Sequence, residues 1–296
     1  MDLLFACTLD YFHENTLYGE NGGNLNSYLK QKNCDTLFLG ASRFQNGVDP
    51  QAFGKQAFNL SNQQMHILFQ TASLDILEQK NRLPSKLLVL HLEVEDFSST
   101  QDSSNQTDIH FLKYHYNSNQ FVRQEIQHSS PTEFIKYYAA SYRHNKNIIS
   151  LISNYFLRRN KSIGVKGYYG LPDKIKNFDT LNINLLPNHS EVLSSSQLTK
   201  KCLQHIKKIC ANHKIKLLIV TAPIYRVDDS YHKLARKLKL YLDKQNIPYL
   251  NYNDPNLNPN FHYSFWFDLK HLNKKGSVSF TKLLKQDLNQ FKIYTP

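Results

Sequence analysis

The stretch DTLFLGASRFQNGVD, residues 35–49, has the pattern of a strand that ends in a loop. Its apolar run, residues 36–39, stops at GASR, residues 40–43, which predicts a buried strand that delivers a small polar side chain, Ser42, into the loop. Ligands and reacting groups gather at the carboxyl ends of strands in open α/β sheets, because the loops and helix N-termini that converge there present unpaired N–H groups. Ser42 is therefore a candidate nucleophile if a base reaches it.

Strand and helix patterns alternate along most of the chain. Short apolar strands are predicted at residues 56–60, 86–92, 215–221 and 247–250, and amphipathic helices at residues 65–77, 198–210, 228–245 and 273–291. The strand at 86–92 is apolar enough to be central in a parallel sheet. This succession predicts right-handed crossovers and the α/β class, as a three-layer α/β/α sandwich with a mostly parallel central sheet.

Serines mark the expected starts of two helices. Ser61 is predicted to cap the helix at residues 65–77, and the serine run 194–196 to cap the helix that carries Cys202 and Cys210. These two cysteines fall about two turns apart on one helix, which is too far for a disulfide between them. Because the chain also has no Cys-x-x-Cys pair, we interpret its cysteines as buried free thiols.

The middle of the chain, residues 98–193, breaks the alternating pattern. Residues 98–108 are polar and predict a flexible surface loop, residues 132–159 predict a helix rich in tyrosine and phenylalanine, and residues 164–172 are rich in turn-forming residues. We interpret this region as an insertion that forms a helical cap near the active edge of one domain spanning residues 1–296. Its tyrosines are typical of core and cap packing, which is compatible with a platform for stacking sugars.

A second motif, DLKH, lies at residues 268–271. An aspartate and a histidine three residues apart on a short turn can face one direction, so the imidazole can reach a serine while the carboxylate holds its tautomer. Taken alone, Ser42 would be a turn residue, His271 one of thirteen histidines and Asp268 a carboxylate beside a helix start. Their order and spacing together predict a Ser-His-Asp catalytic triad.

The two motifs together resemble the SGNH (GDSL-type) hydrolase superfamily. More closely, GASR at residues 40–43 and GVDP at residues 47–50 resemble the blocks of the branch that acts on bacterial cell-surface polymers. The resemblance covers the chain except for about residues 98–193. It implies a flavodoxin-like fold in which His271 takes the proton of Ser42 as the serine attacks an ester carbonyl, while Asp268 stabilises the imidazolium.

The resemblance also implies an oxyanion hole, made here by the backbone N–H groups of Ser42 and Ser61. The sequence departs from the family pattern at two of its four blocks, because Ser61 replaces a glycine and the loop at residues 91–96 contains no asparagine. Losing one oxyanion donor typically costs about 2.7–4 kcal/mol of transition-state stabilisation. Arg43 and Asn59 are expected beside the site, with Asn59 hydrogen-bonded to the loop of Ser42.

The composition describes a basic, globular chain. Its 296 residues carry a net charge of +12, and the mean hydropathy is −0.52. The lysines are spread over helix faces without any nucleic-acid-binding signature, so we expect no nucleic-acid partner and at most an attraction to anionic polymers or a membrane surface. No signal peptide and no apolar run long enough to cross a bilayer are recognisable, although the resemblance implies an extracytoplasmic or envelope-associated protein.

The acidic run Glu93, Glu95 and Asp96, together with His91, could instead form a metal site. Alternation along a strand would split these side chains between two faces, and no second histidine lies at a ligand spacing. We therefore expect neither a metal nor another cofactor.

Three functional hypotheses follow. The first is a serine esterase or O-acyltransferase that acts on acetyl or similar acyl groups of a cell-surface carbohydrate, and the intact motifs favour it. The second is a catalytically inactive SGNH-like protein that binds polysaccharide or partners a membrane acyltransferase, and the missing asparagine favours it. The third is a structural protein that binds anions. The expected substrate is an acylated carbohydrate or a small ester, and the oligomeric state is left open.

Overall fold

The structure is a computed structural model that describes residues 2–18, 23–31, 34–130, 132, 136–137, 140–144, 148–158, 161–162, 164–173 and 194–290. Its strands are β1 (Thr36–Leu39), β2 (Ala57–Asn59), β3 (Leu87–His91), β4 (Lys216–Thr221) and β5 (Tyr249–Asn251). Its helices are α1 (Asp2–Glu14), α2 (Gly23–Leu29), α3 (Ser42–Gly47), α4 (Ile67–Gln79), α5 (Asp102–Thr107), α6 (Gln120–Ser129), α7 (Ile148–Arg158), α8 (Gln197–Asn212), α9 (Asp229–Lys244) and α10 (Lys274–Gln290).

The strands form one parallel sheet in the order β2-β1-β3-β4-β5. In the register of this sheet, Leu37 of β1 lies between Phe58 of β2 and Leu88 of β3. The chain runs from β1 to β2 on one side of it and then crosses to β3 on the other side, so the direction of winding reverses between β1 and β3. The crevice at the carboxyl end of such a switch point is the usual ligand site of an open α/β sheet.

Neighbouring residues of each strand point to opposite faces of the sheet, and each face is covered by helices. Leu37 and Leu39 pack in a core that includes residues of α4, α8 and α9. Phe38 lies on the other face, in a core with Phe44 and Phe280 of α3 and α10. Because side chains of a strand alternate between faces, the nearly continuous apolar runs of β1 and β3 contribute to both cores. The predicted three-layer α/β/α sandwich with a parallel sheet is confirmed.

The start of α4 differs from the prediction. The helix begins at Ile67 with His66 at its cap position, and the His66 N–H donates to Oδ2 of Asp108 at 2.7 Å. Ser61 does not cap this helix, because it is buried in the turn after β2. The carboxylate that accepts the backbone N–H at the helix start belongs to Asp108, 42 residues after His66 in the chain. The local sequence therefore does not reveal this cap.

Residues 98–108 form short helices, so the prediction of a flexible loop is wrong. A 3-10 turn spans Ser99–Gln101 and α5 follows directly. The hydroxyl of Ser196, which caps α8 as predicted, donates to the Asp102 carboxylate, and Asp108 binds the start of α4. The polar composition of this segment therefore reflects bonds to other elements.

The helix predicted over residues 132–159 is interrupted. A 3-10 turn spans Ala140–His144 and α7 covers Ile148–Arg158. Residues 133–135, 138–139, 145–147 and 159 of the predicted helix lie outside the described residues. Helix α7 packs on α1, which the sequence pattern did not predict, and the rings of Phe12 and Tyr155 stack with centroids 4.3 Å apart. Of the residues that the structure describes, none belongs to a helix long and apolar enough to cross a membrane.

Candidate active site

Ser42 is the first residue of α3, directly after β1 and the turn Gly40-Ala41. The end of β1 approaches β3 so closely that a Cβ at Gly40 would lie 2.6 Å from the Cβ of His91. Only glycine allows this approach, which explains the glycine of the GASR block. Ser42 itself is half-buried at the carboxyl edge of the sheet, as the sequence predicted.

Asp268 and His271 lie on a tight loop between Trp266 and Leu272, which form an isolated antiparallel bridge. Oδ1 of Asp268 accepts the backbone N–H groups of Lys270 and His271, both at 2.8 Å. An aspartate that binds the backbone two and three residues ahead stabilises a turn of this kind. The carboxylate therefore shapes the loop that carries the histidine.

The buried side chain of Asn273 attaches this loop to the start of α10. Its Oδ1 accepts the N–H of Gly276 at 3.1 Å, and its Nδ2 donates to the carbonyl of Ser264 at 2.7 Å. A Cβ at Gly276 would lie 2.2 Å from the carbonyl oxygen of Phe265, so the helix start packs directly on the backbone before the loop. The beginning of α10 therefore fixes the position of His271.

The structure brings Ser42, His271 and Asp268 together. Oγ of Ser42 lies 2.8 Å from Nε2 of His271, and Nδ1 of His271 lies 2.9 Å from both carboxylate oxygens of Asp268. When Nδ1–H donates to the carboxylate, Nε2 is left as an acceptor for the serine proton. This is the arrangement that a serine nucleophile needs.

Asp268 remains ionised in this position. Burial alone would raise the pKa of its carboxyl group, but the hydrogen bonds from His271 and from the backbone N–H of Lys270 outweigh burial and lower this pKa below its ordinary value. The side chains of Asp268 and His271 are 27% and 23% exposed, so both groups are accessible from solvent.

Arg43, in the helix after β1, binds carboxylates in the segment that follows β3. Its side chain is buried, with Nε donating to Oε1 of Glu93 at 3.1 Å and a terminal nitrogen 3.1 Å from Oε2 of the same carboxylate. Glu95 lies 3.8 Å from the guanidinium. Burial raises the pKa of Glu93, but the charge of Arg43 more than offsets this effect and holds the pKa below its ordinary value. Arg43 was expected beside the site, whereas its partner Glu93 was interpreted only as a possible metal ligand.

His91 lies beneath the GASR turn and stacks on Phe44, with ring centroids 4.9 Å apart. Burial, assisted by the charge of Arg43, lowers the pKa of His91 to about 3, so the ring is neutral near neutral pH. Both ring nitrogens are buried and without a hydrogen-bond partner in the described part of the chain. Within that part, no group of three or more His, Cys, Asp or Glu side chains is arranged to hold a metal ion. The carboxylates of Glu93 and Glu95 are directed to Arg43 instead.

Asn59 is hydrogen-bonded to the segment that begins with Ser42, as expected. Its Nδ2 donates to the carbonyls of Phe44, in the middle of α3, and of Val48, directly after the helix, at 2.8 and 2.9 Å. Its Oδ1 accepts the backbone N–H of Ser61 at 3.1 Å. The Ser61 N–H, expected to serve the oxyanion hole, is therefore engaged by Asn59 in this structure.

Asn62, which the sequence analysis does not single out, is bound to the turn before Ser42. Its backbone N–H donates to the carbonyl of Gly40 at 2.9 Å, which attaches the loop after β2 to the turn before Ser42. One N–H of its side chain donates to the carbonyl of Leu60 at 2.9 Å, and the side chain is half-buried. Its place two residues after a predicted strand is the available signal, because polar residues at strand ends meet at one edge of a parallel sheet.

The segment at residues 164–172 reaches the elements that carry the triad. The N–H of Tyr169 donates to the carbonyl of Gln45 in α3 at 3.1 Å, and the carbonyl of Leu171 accepts the N–H of Lys274 at 2.9 Å. The hydroxyls of Tyr168 and Ser277 lie 2.6 Å apart. This part of the region interpreted as an insertion therefore packs against both α3 and the start of α10.

Comparison with known proteins finds likeness at the level of structure alone. No family model and no curated protein matches the chain. A similar solved structure is that of a candidate acylhydrolase from Bacteroides fragilis, with 12% identity, a TM-score of 0.39, and coverage of 90% of this chain and 93% of that one. Another is described as a candidate platelet activating factor from Streptococcus pneumoniae, with 10% identity, a TM-score of 0.33, and coverage of 91% and 92%. At such scores, functional conclusions depend on this chain's own residues.

Proposed function

We propose that this protein is an SGNH-type serine esterase or O-acyltransferase that acts on the acyl groups of a cell-surface carbohydrate. Acetyl is the acyl group that we propose first. The observation that carries the proposal is the pair of contacts from Ser42 to His271, 2.8 Å, and from His271 to Asp268, 2.9 Å. The resemblance of the GASR and GVDP blocks to the branch acting on cell-surface polymers supports the choice of substrate class.

In the first step, Oγ of Ser42 attacks the acyl carbonyl carbon while its proton passes to Nε2 of His271. The ionised Asp268 holds the neutral imidazole in the tautomer that carries its proton on Nδ1, and it stabilises the imidazolium that then forms. The tetrahedral intermediate collapses when the bond to the sugar oxygen breaks, and the leaving alkoxide takes the proton from Nε2. The products are the free sugar hydroxyl and an acyl ester on Ser42.

In the second step, water or an acceptor hydroxyl attacks the acyl ester and gives its proton to His271. Collapse of this intermediate returns the proton to Ser42 and releases either a carboxylic acid or a new ester. The same triad serves both outcomes, so access of water decides between hydrolysis and transfer. The segment at residues 164–172, which packs against α3 and α10, is suited to contribute to such a cover.

The oxyanion hole is proposed to combine the backbone N–H of Ser42 with the side chain of Asn62. Asn62 is tied to Gly40 by its backbone, and only one of its two side-chain hydrogens is needed for the bond to Leu60. The remaining hydrogen can serve the oxyanion in place of the asparagine missing from the loop after β3. The N–H of Ser61 can contribute only if it leaves Asn59.

Turnover of para-nitrophenyl acetate tests the esterase part of this proposal. The wild type should release nitrophenolate slowly, and Ser42→Ala should abolish the release. The matched control is Ser129→Ala, which removes the hydroxyl of the last residue of α6, and it should retain wild-type activity. This hydroxyl is hydrogen-bonded to His110. Equal rates for wild type and Ser42→Ala would assign the hydrolysis to another site. Acylated sugar formed from added oligosaccharide at the expense of acetate would identify a transferase.

One observation favours a second candidate function, an SGNH-like protein without turnover that binds polysaccharide or partners a membrane acyltransferase. The N–H of Ser61 already donates to Asn59, and the loop after β3 supplies the carboxylate of Glu93 instead of an asparagine. If Asn62 does not serve as a donor, the oxyanion has the Ser42 N–H alone. Polysaccharide binding that is equal in wild type and Ser42→Ala, without ester turnover, would support this candidate.

A further inference from the structure

The segment at residues 164–172 begins with a tight turn. Val165 and Tyr168 exchange two backbone hydrogen bonds, at 3.1 and 3.0 Å. The two residues between them, Lys166 and Gly167, have positive φ values of 50° and 81°, as in a type I′ hairpin turn. A turn of this kind has a defined shape, so it directs the residues that follow it.

The turn packs on β2, which is the edge strand of the sheet next to β1. The carbonyl of Lys166 accepts the N–H of Asn59 at 3.0 Å. A Cβ at Gly167 would lie 1.8 Å from the carbonyl oxygen of Asn59, so the turn packs directly on the backbone of this strand. The side chain of Asn59 binds the carbonyls of Phe44 and Val48. The turn therefore rests on a residue that also holds α3.

Beyond the turn, the segment contacts both helices that adjoin the site. The N–H of Tyr169 donates to the carbonyl of Gln45 in α3 at 3.1 Å, and the carbonyl of Leu171 accepts the N–H of Lys274 in α10 at 2.9 Å. Each of these two helix residues lies three positions after a member of the proposed triad. The segment therefore bridges α3 and α10 close to their ends at the candidate active site.

A hydroxyl pair adds a second contact between the segment and α10. Oη of Tyr168, which is half-buried, lies 2.6 Å from Oγ of Ser277, which is fully buried in the first turn of the helix. Helix α10 also binds α3 directly, through Thr281 and the carbonyl of Gly47, but Thr281 is about one turn further from His271. A single contact leaves a helix free to tilt, whereas the bond to Tyr168 fixes a second point nearer to His271.

We propose that Tyr168 is a positioning residue, whose hydroxyl, bound to Ser277, sets the separation of Ser42 and His271. The proposal rests on the proposed function, since a displaced His271 changes the rate of hydrolysis only if it is the base. Proton transfer depends steeply on the distance between the two groups, and a misplacement of about 1 Å can cost about 10²-fold in rate. A tyrosine that only fills space beside α10 would act through its ring, and its hydroxyl would leave the rate unchanged.

Steady-state hydrolysis of para-nitrophenyl acetate tests the role of the hydroxyl. Tyr168→Phe keeps the ring, and it should lower kcat about tenfold with little change in KM. Ser277→Ala should have the same effect, and the double variant should be no slower than either single variant, because all three lose the same hydrogen bond. If the wild type turns over the ester, equal kcat values for Tyr168→Phe and the wild type would overturn the proposal.

Tyr169→Phe is the matched control. This neighbouring residue is 50% exposed, and the substitution keeps its backbone bond to Gln45. Its kcat should equal that of the wild type. An equal loss of kcat in Tyr169→Phe and Tyr168→Phe would also overturn the proposal, because the loss would not depend on the bond to Ser277.

A second readout needs no ester turnover and so separates this proposal from the proposed function. The rate at which iodoacetamide alkylates the thiol of a Ser42→Cys variant, located by peptide mapping, depends on how much of that thiol is ionised. An imidazole at hydrogen-bond distance favours the thiolate. Adding Tyr168→Phe to Ser42→Cys should therefore slow alkylation at mildly acidic pH by at least about threefold, whereas adding Tyr169→Phe should leave it unchanged.

The two readouts distinguish the possible failures. Alkylation that is equally fast with and without Tyr168→Phe would overturn the proposal, even if this substitution lowers the melting temperature, because the hydroxyl would then serve stability alone. Slower alkylation with Tyr168→Phe, found together with a wild type that hydrolyses no ester, would support the positioning role and reject only the esterase activity.

Discussion

Nε2 of His271 lies 2.8 Å from Oγ of Ser42, although the two residues are 229 positions apart in the sequence. Helix α10, which begins just after His271, also packs on the helix that begins with Ser42. Oγ1 of Thr281 donates to the carbonyl of Gly47 at 3.2 Å and accepts the N–H of Asp49 at 3.1 Å. One helix therefore positions both His271 and Ser42.

Asp268→Asn should lower kcat about 10³–10⁴-fold if the triad is catalytic. The amide oxygen can still accept the backbone N–H groups of Lys270 and His271, so the loop should persist. The amide cannot stabilise an imidazolium as a carboxylate does, and it favours the wrong tautomer of His271. Ester hydrolysis and the melting temperature are the measurements.

Asp243→Asn is the control, because the Asp243 carboxylate forms an exposed pair with Lys239 on α9. It should change neither quantity. Equal rates for Asp268→Asn and the wild type would show that Asp268 does not assist the base.

Asn62→Ala should lower kcat about 10²–10³-fold with little change in KM, because an oxyanion donor acts mainly in the transition state. The measurement is steady-state hydrolysis of a small ester, with thermal unfolding to establish that the loop after β2 is retained. A folded Asn62→Ala variant with wild-type kcat would exclude Asn62 from the oxyanion hole.

Arg43→Met should destabilise the protein by about 3 kcal/mol, because it leaves Glu93 in a poorly hydrated site without its counter-charge. Arg43→Met/Glu93→Met should be less destabilised than the sum of the single variants by about 1–3 kcal/mol, since the double variant leaves no unpaired member of this contact. Urea unfolding of the four proteins measures the coupling. Additive effects would show that the pair does not act as a unit.

Stability should fall as pH rises through the titration of His66. The hydrogen bond to Asp108 raises the pKa of His66 from 6.5 to about 9, against the opposing effect of burial and with smaller contributions from Asp96 and Glu93. Because the folded-state pKa is raised, this stabilisation is fully present below pH 6.5 and is lost as pH rises through about 9.

Asp108→Asn isolates this contribution. Its amide oxygen can still accept the His66 N–H at the start of α4, but it no longer favours the imidazolium. Chemical unfolding across this pH range should therefore show a smaller fall for Asp108→Asn than for the wild type. Parallel curves for the two proteins would contradict the assignment to His66.

The parallel sheet could be predicted from the sequence because the strands of a doubly wound fold are apolar on both faces and stop at glycine and polar residues. The convergence of Ser42, Asp268 and His271 could be predicted because these residues lie in two short motifs. Two hydrogen bonds could not be predicted: the one from the Ser61 N–H to Asn59, and the one from the His66 N–H, at the start of α4, to Asp108. Both depend on which polar groups meet after folding. The polar composition of residues 98–108 predicts a loop, whereas in the structure polar side chains of this segment bind other elements of the chain.

Labelling with a fluorophosphonate, followed by intact mass measurement, tests whether Ser42 is an activated nucleophile. Nucleophile activation is detected in this experiment without knowledge of the natural substrate. We expect one adduct on the wild type, located at Ser42 by peptide mapping, with much slower labelling of His271→Ala and none of Ser42→Ala. A folded wild type that stays unlabelled, or a Ser42→Ala variant that labels equally fast, would contradict this expectation.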